Sequence, residues 1–213
     1  MRRTELLRYC RDLGWSDPPD LPDLGDVGTT TPPATLEELS RLVAGCSLCD
    51  LAAKRRKIVF GEGGAQARLM FIGEGPGAEE DKTGRPFVGQ GGRILDGMIF
   101  ALGLDRSQVY IANVVKCRPP RNRDPEVEEM AACAPFLERQ IELIKPEVIV
   151  ALGRVAARRL TGTEKPMGAL RGRWTTYRGL PLMPTYHPAY LLRNQDGKKL
   201  VWQDLKKVVE KLS

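Results

Sequence analysis

The residues able to do chemistry in this sequence are few in type and distinctive in spacing. Cys46 and Cys49 form a C-x2-C pair, in which one turn presents two sulfurs to a single centre. Cys117 follows an apolar run and Cys133 falls in a helical stretch, so a fold can carry both to the same place. Four thiolates suit either a zinc ion or an iron-sulfur cluster, the plainer reading being separate buried thiols. The fifth cysteine, Cys10, lies outside the compact part of the chain and reads as an ordinary thiol.

A second group sits at the ends of apolar runs. Leu69-Met70-Phe71-Ile72 leads into Gly73-Glu74-Gly75-Pro76-Gly77-Ala78-Glu79-Glu80-Asp81. A short buried strand running into a glycine turn puts ligand-facing groups at the carboxyl edge of a sheet. The turn matches the dinucleotide fingerprint G-x-G-x-x-A literally. Its chemistry is wrong for pyrophosphate: Glu74, Glu79, Glu80 and Asp81 would repel it, and Pro76 has no N–H to donate. A carboxylate held at this edge suits orienting water or offsetting positive charge, the bland alternative being a tight turn with solvated acids.

His187 is the only histidine in the chain. It follows a predicted strand and precedes Pro188, and a neutral imidazole N–H can stabilise an anion forming on a leaving group. Asn113 ends another predicted strand, where its amide can read the edge of a base. Phe87, in a glycine-rich loop, can stack on a planar ring. The competing structural readings are a satisfied histidine, a loop-capping asparagine and a core aromatic.

These residues need elements to position them. Hydrophobic periodicity predicts helices over 36–44, 93–102, 126–144 and 199–212, and a short helix ending at 160. It predicts strands over 68–72, 109–115 and 148–152, with a hairpin joining 174–177 to 180–184 about Arg178-Gly179. Thr35-Leu36-Glu37-Glu38 carries a capping-box pattern that starts the first of these helices. The segment 82–92 holds too much glycine and proline for a helix and is expected to fold over something as a loop. Strands alternating with helices point to an α/β fold, a three-layer α/β/α arrangement with a mostly parallel central sheet of about four strands. The shared carboxyl edge would then bring Glu74, Asn113 and His187 together. Ahead of this domain, over 35–213, residues 1–34 read as an extension, with a short helix over 4–14 and a linker rich in Pro, Gly, Asp and Thr.

At 213 residues, 42% of them hydrophobic, the chain can bury one ordinary core. A net charge of +6 makes polyanions plausible partners, simple solubility being the alternative. No apolar run has the length of about 18 residues that a membrane helix needs. The basic N-terminal stretch lacks the features of a secretory signal, and an odd cysteine count without such a signal fits reduced thiols. A cytoplasmic location and a monomer are the expectations.

Taken together, four stretches resemble the family 4 uracil-DNA glycosylases, the iron-sulfur type of bacteria and archaea. They are Gly73 to Asp81, Gly84-Arg85-Pro86-Phe87-Val88-Gly89, Asn113-Val114-Val115-Lys116-Cys117-Arg118-Pro119-Pro120, and His187-Pro188-Ala189-Tyr190-Leu191. The cysteines Cys46, Cys49, Cys117 and Cys133 are similar in order and placement to that family's ligands for a structural 4Fe-4S cluster. The resemblance covers roughly residues 36–212. It implies a repair enzyme that flips uracil out of single- or double-stranded DNA and hydrolyses its N-glycosidic bond, leaving an abasic site. By resemblance, Glu74 and His187 would be catalytic, with Gly73, Gly75, Pro76, Gly77, Glu80, Phe87 and Asn113 around the base and Glu80 excluding the methyl of thymine. Leu191 and its neighbours would wedge into the gap, and Arg118, Arg121 and Arg193 would meet phosphates, as would Lys54-Arg55-Arg56-Lys57 and Arg123. A relative of this family traps uracil covalently through a histidine in a basic loop; with His187 alone, turnover is expected here. Two other readings stand beside this one: a non-catalytic iron-sulfur module that binds nucleic acid, and a dinucleotide-dependent oxidoreductase favoured only by the glycine match.

Overall fold

A computed structural model of the chain describes residues 32–213. The helix expected over 4–14, Cys10 and nearly all of the linker lie outside the described residues. The first described helix begins where the capping box placed it, after Thr35. The Thr35 hydroxyl accepts from the Glu38 N–H at 3.1 Å, the Glu38 carboxylate accepts from the Thr35 N–H at 3.3 Å, and helix α1 runs Leu36–Ala44.

Among the described residues the sheet has six strands rather than about four. They are β1 (Glu62–Gly63), β2 (Leu69–Gly73), β3 (Val109–Asn113), β4 (Val148–Leu152), β5 (Thr175–Tyr177) and β6 (Leu180–Thr185), in the order β1-β3-β2-β4-β6-β5. The four central strands are parallel, and β1 and β5 close the edges antiparallel. The two additions are short: β1 has too few residues for an alternating pattern, while β5 is the first arm of the expected hairpin. Arg178 and Gly179, with φ of 48° and 83°, form its turn, and two left-handed residues in sequence match the twist of antiparallel strands.

Every residue of β2, β3 and β4 is buried, as parallel strands covered on both faces must be. Successive side chains go to different cores. Met70, Ile72, Tyr110, Ala112, Ile149 and Ala151 pack with Leu137 and Ile141 of α4 (Val127–Ile144) and Ala157 and Leu160 of α5 (Arg154–Thr161). Leu69, Phe71, Val109, Ile111, Val148 and Val150 pack on the opposite face with Leu95 and Ile99 of α3 (Gln90–Ala101) and Val201 and Leu205 of α8 (Gly197–Leu212). The result is the expected three-layer α/β/α arrangement. Shorter helices fill the connections: α2 (Ala78–Thr83), α6 (Met167–Leu170) and α7 (Pro188–Leu191).

Helix α3 starts three residues earlier than expected, so Gly91 and Gly92 lie inside it rather than in the loop. The reason at Gly92 is steric, because any Cβ there would collide with the Phe87 carbonyl. The missing side chain lets the loop fold down on the helix.

The far end of the sheet is tied to the last helix by Asp204. Its carboxylate accepts from the Thr185 hydroxyl at 2.6 Å and from Arg171 Nε at 3.0 Å, and Arg171 Nη2 donates to the Leu200 carbonyl at 2.6 Å. Thr185 ends β6, two residues before His187. Asp204 is 1% exposed and Arg171 15%, so removing the acid strands a buried cation. Asp204→Ala is therefore expected to destabilise the fold by about 3–5 kcal/mol in chemical denaturation; a loss below about 1 kcal/mol, the range of a surface pair, would contradict this role.

Candidate active site and cysteine centre

The carboxyl ends of β2, β3, β4 and β6 meet as expected. Gly73 ends β2 beside Asn113, the last residue of β3. A Cβ on Gly73 would lie 2.5 Å from both Asn113 Oδ1 and Phe87 Cζ. Glycine at this position is what allows the amide and the ring to close on the strand end. Asn113 is 1% exposed, and among the described residues its Oδ1 is buried without a hydrogen-bond partner. An acceptor in that state costs free energy until a donor reaches it.

Phe87 is buried and sits at φ 51°, a left-handed conformation unusual for an aromatic residue and of the kind that collects at ligand sites. Arg106 holds the backbone there, donating to the Phe87 and Pro86 carbonyls at 3.0 and 2.6 Å while pairing with Asp96 at 2.7 Å. The Phe87 ring lies 5.6 Å from the imidazole of His187 at an interplanar angle of 31°. Phe87 thus joins the Asn113 amide to the histidine.

His187 caps the short helix α7, its Nδ1 accepting from the Ala189 N–H at 3.1 Å. That bond leaves the proton on Nε2, so the ring offers an Nε2–H donor. Burial lowers its pKa to about 4, against a smaller opposing effect of the Glu80 carboxylate, and the ring is neutral at pH 7. Gly153, at φ 88°, closes on the histidine from β4; a Cβ there would lie 2.8 Å from His187 Cβ. Sequence reading singled out Gly73 but missed Gly153. Its only signal was a glycine directly after a buried apolar run, which also fits an ordinary strand ending.

Glu74 follows Gly73 and is partly buried. Desolvation raises its pKa to about 7, with the Asp124 carboxylate adding to the rise and Arg154 opposing it. Asp124 and Arg154 are themselves an ion pair. Neither was singled out from the sequence, since each reads as an ordinary surface charge. The remaining glycines and Pro76 shape the turn. Gly75 is needed because a Cβ would meet Val115 Cγ2 at 2.8 Å, and Pro76 is buried.

Glu80 has a different position from the one expected of a residue facing the base. Both carboxylate oxygens are engaged by backbone N–H groups, Oε1 by Val88 and Gly89 at 2.8 Å each and Oε2 by Gly77 at 3.1 Å. It clasps the turn after β2 to the loop carrying Phe87. Leu191 also faces another way than expected. At 1% exposure it is packed in the core beneath α7 and cannot wedge into a duplex, whereas its neighbours Tyr190 and Leu192 are 43% and 38% exposed.

Arg121 and Arg193 are exposed, and Arg118 is partly exposed with its Nε donating to Asn122 Oδ1 at 2.8 Å. Two other expected phosphate contacts are otherwise engaged. Arg123 pairs with Glu129 at 2.6 Å and Glu126 at 3.0 Å. Arg55 donates to the Cys46 carbonyl at 2.7 Å and to Cys117 Sγ at 3.4 Å.

The four expected cysteines do converge. Cys46, Cys49, Cys117 and Cys133 are free thiols lining one small pocket, closed by Val43, Ala132 and Phe136. Burial pushes Cys133 up to about 12 and raises Cys49 and Cys117, so these three bare thiols stay protonated at pH 7. Among the described residues no three His, Cys, Asp or Glu side chains close on a single metal ion. Four thiols around a shared space are a donor set that suits either a zinc ion or an iron-sulfur cluster.

The Glu80 clasp is open to test. Glu80→Ala leaves three backbone N–H groups without their acceptor, and amide hydrogen exchange at Val88 and Gly89 is expected to quicken by about tenfold or more. Unchanged protection at both would show that the loop is held by Arg106 alone.

Comparison with known proteins agrees with this geometry. Residues 60–206 match the family model of the uracil DNA glycosylase superfamily. A type-4 uracil-DNA glycosylase of Thermotoga maritima is 47% identical over 81% of this chain and 92% of its own length. One from Sulfurisphaera tokodaii is 45% identical over 83% and 84%, whereas a type-5 uracil-DNA glycosylase of Pyrobaculum aerophilum is 31% identical over 70% and 72%. With its sheet edge and its sequence in agreement, the chain belongs to the uracil DNA glycosylase superfamily.

Proposed function

We propose that this chain is a type-4 uracil-DNA glycosylase, which releases uracil from DNA by hydrolysis and carries a structural 4Fe-4S cluster. The observation that carries the reading is Asn113 Oδ1, a buried acceptor with no partner. It lies against Phe87 and beside the turn that holds Glu74. The N3–H of a flipped uracil is the donor it lacks, whereas the ring nitrogen at the middle of a cytosine or adenine pairing edge carries a lone pair and no proton. Stacking on Phe87 adds about 1–3 kcal/mol for an extruded base.

As the bond between C1′ and N1 breaks, its electrons move onto uracil and the sugar becomes oxocarbenium-like. The neutral imidazole then donates its Nε2–H to the developing oxyanion, an interaction that strengthens in the transition state. Glu74, as a carboxylate, offsets the sugar's positive charge and takes a proton from the water that adds to C1′. Arg118, Arg121 and Arg193 are the phosphate contacts of this reading, and of the residues expected as the wedge it is exposed Leu192 or Tyr190, not Leu191, that enters the gap. When bound, the cluster would be held by Cys46, Cys49, Cys117 and Cys133, and its contribution is structural, fixing the loops on either side of Arg118.

Incubation with oligonucleotides carrying one deoxyuridine, followed by alkali, is expected to give breaks at that position and none in a thymidine control. Tight binding without breaks would favour a non-catalytic module. Losing a contact of this electrostatic kind costs about 2.7–4 kcal/mol, so Glu74→Gln and His187→Ala should each slow single-turnover release at least about a hundredfold. The reaction needs Glu74 ionised, and its pKa is raised to about 7. The single-turnover rate should therefore climb as pH rises from 5 and level off above about 7, with Glu74→Gln abolishing the slope; a flat wild-type profile would remove Glu74 from the water step. Separately, the purified protein is expected to be brown, with Cys133→Ser losing the visible absorption. A colourless zinc protein would contradict the cluster.

A further inference from the structure

We infer that Lys116 is a positioning residue that holds the base-reading end of β3 in place from beneath. Lys116 is 1% exposed, in a chain whose other lysines lie at or near the surface. Its Nζ donates to the Asn113 carbonyl at 2.9 Å and to Gln140 Oε1 at 2.5 Å. Gln140 is fixed in turn, its Nε2 donating to the Phe60 carbonyl at 2.9 Å and meeting the Tyr110 hydroxyl at 3.1 Å.

The backbone explains why a side chain is needed for this. After Asn113 the strand ends and the chain turns. An ordinary turn would close with the amide of Lys116 on the Asn113 carbonyl, three residues back. Here that amide donates instead to Cys133 Sγ at 3.3 Å, and the Lys116 carbonyl accepts from the Val59 N–H at 2.8 Å. The side chain supplies the bond that the backbone cannot. Without it, the Asn113 carbonyl and Gln140 Oε1 would be left as buried acceptors.

This arrangement bears on recognition because the Asn113 side chain has no hydrogen bond to Oδ1 that would fix its aim. Its direction depends on packing against Gly73 and Phe87 and on the backbone that carries it. Lys116 controls that backbone. It also joins two regions otherwise separate in sequence, the cysteine pocket through its amide and the base edge through its side chain. The inference rests on the proposed reading that Asn113 binds uracil.

A double-mutant cycle tests it. Lys116→Met keeps the length of the stem and removes both Nζ bonds. It is expected to weaken binding of free uracil by about tenfold and to lower kcat/KM on a deoxyuridine oligonucleotide by a similar factor, while the visible absorption of the protein is kept. In an Asn113→Ala background the same substitution should change neither quantity by more than about twofold. Gln140→Glu is the gentler variant should Lys116→Met fail to fold: a carboxylate draws the ammonium away from the Asn113 carbonyl, and a loss of about fivefold, again absent when Asn113 is gone, is expected. Equal losses in both backgrounds, or no loss with Asn113 present, would overturn the inference while leaving the glycosylase reading intact. A wild-type protein that neither binds uracil nor cuts would overturn both.

Discussion

Desolvation at the carboxyl edge of the sheet is the constraint on which this protein depends. Four parallel strands end together, and their buried ends exclude water from the polar groups just beyond them. The same exclusion acts oppositely on an acid and a base. It raises Glu74 to about 7 and lowers His187 to about 4, so at pH 7 the imidazole is a neutral donor and the carboxyl can take up a proton. The edge stays dry because glycines allow close approach. Gly73 admits Asn113 and Phe87, and Gly153 admits His187.

The loop over this edge is held by interactions that keep Phe87 in a conformation it would not choose alone. Glu80 engages both sides of the loop through three backbone N–H groups, and Arg106 grips two carbonyls at its centre. These charges face the backbone rather than a ligand, and each replaces solvent for groups that a tight turn cannot pair internally. Beneath the opposite side of the pocket, Lys116 does the same for the end of β3.

Much of this was legible in the sequence because it rests on local patterns. The buried runs, the capping box at Thr35, the Arg178-Gly179 turn and the convergence of Glu74, Asn113 and His187 follow from periodicity and from the way α/β sheets are built. The C-x2-C pair likewise announced Cys46 and Cys49. What escaped depends on which way a side chain faces. Leu191 sits in a motif that suggested a wedge, but one turn of helix is enough to rotate it into the core. Glu80 looked like a ligand-facing acid because nothing local shows that Val88 and Gly89 return to it. Arg55 and Arg123 lie in basic runs that read as phosphate contacts, yet both are engaged, Arg55 with partners distant in sequence and Arg123 with acids a turn or two away. Strand β1 has only two residues, too few to leave a pattern.

The presence of a single histidine makes the central claim directly measurable. Nitrogen-15 NMR of the labelled protein would report the imidazole of His187 alone, across pH 4 to 8. The account predicts a neutral ring protonated on Nε2 throughout the neutral range, titrating near its lowered value of about 4. A ring that titrates near the ordinary value of about 6.5, or that carries its neutral proton on Nδ1, would contradict it.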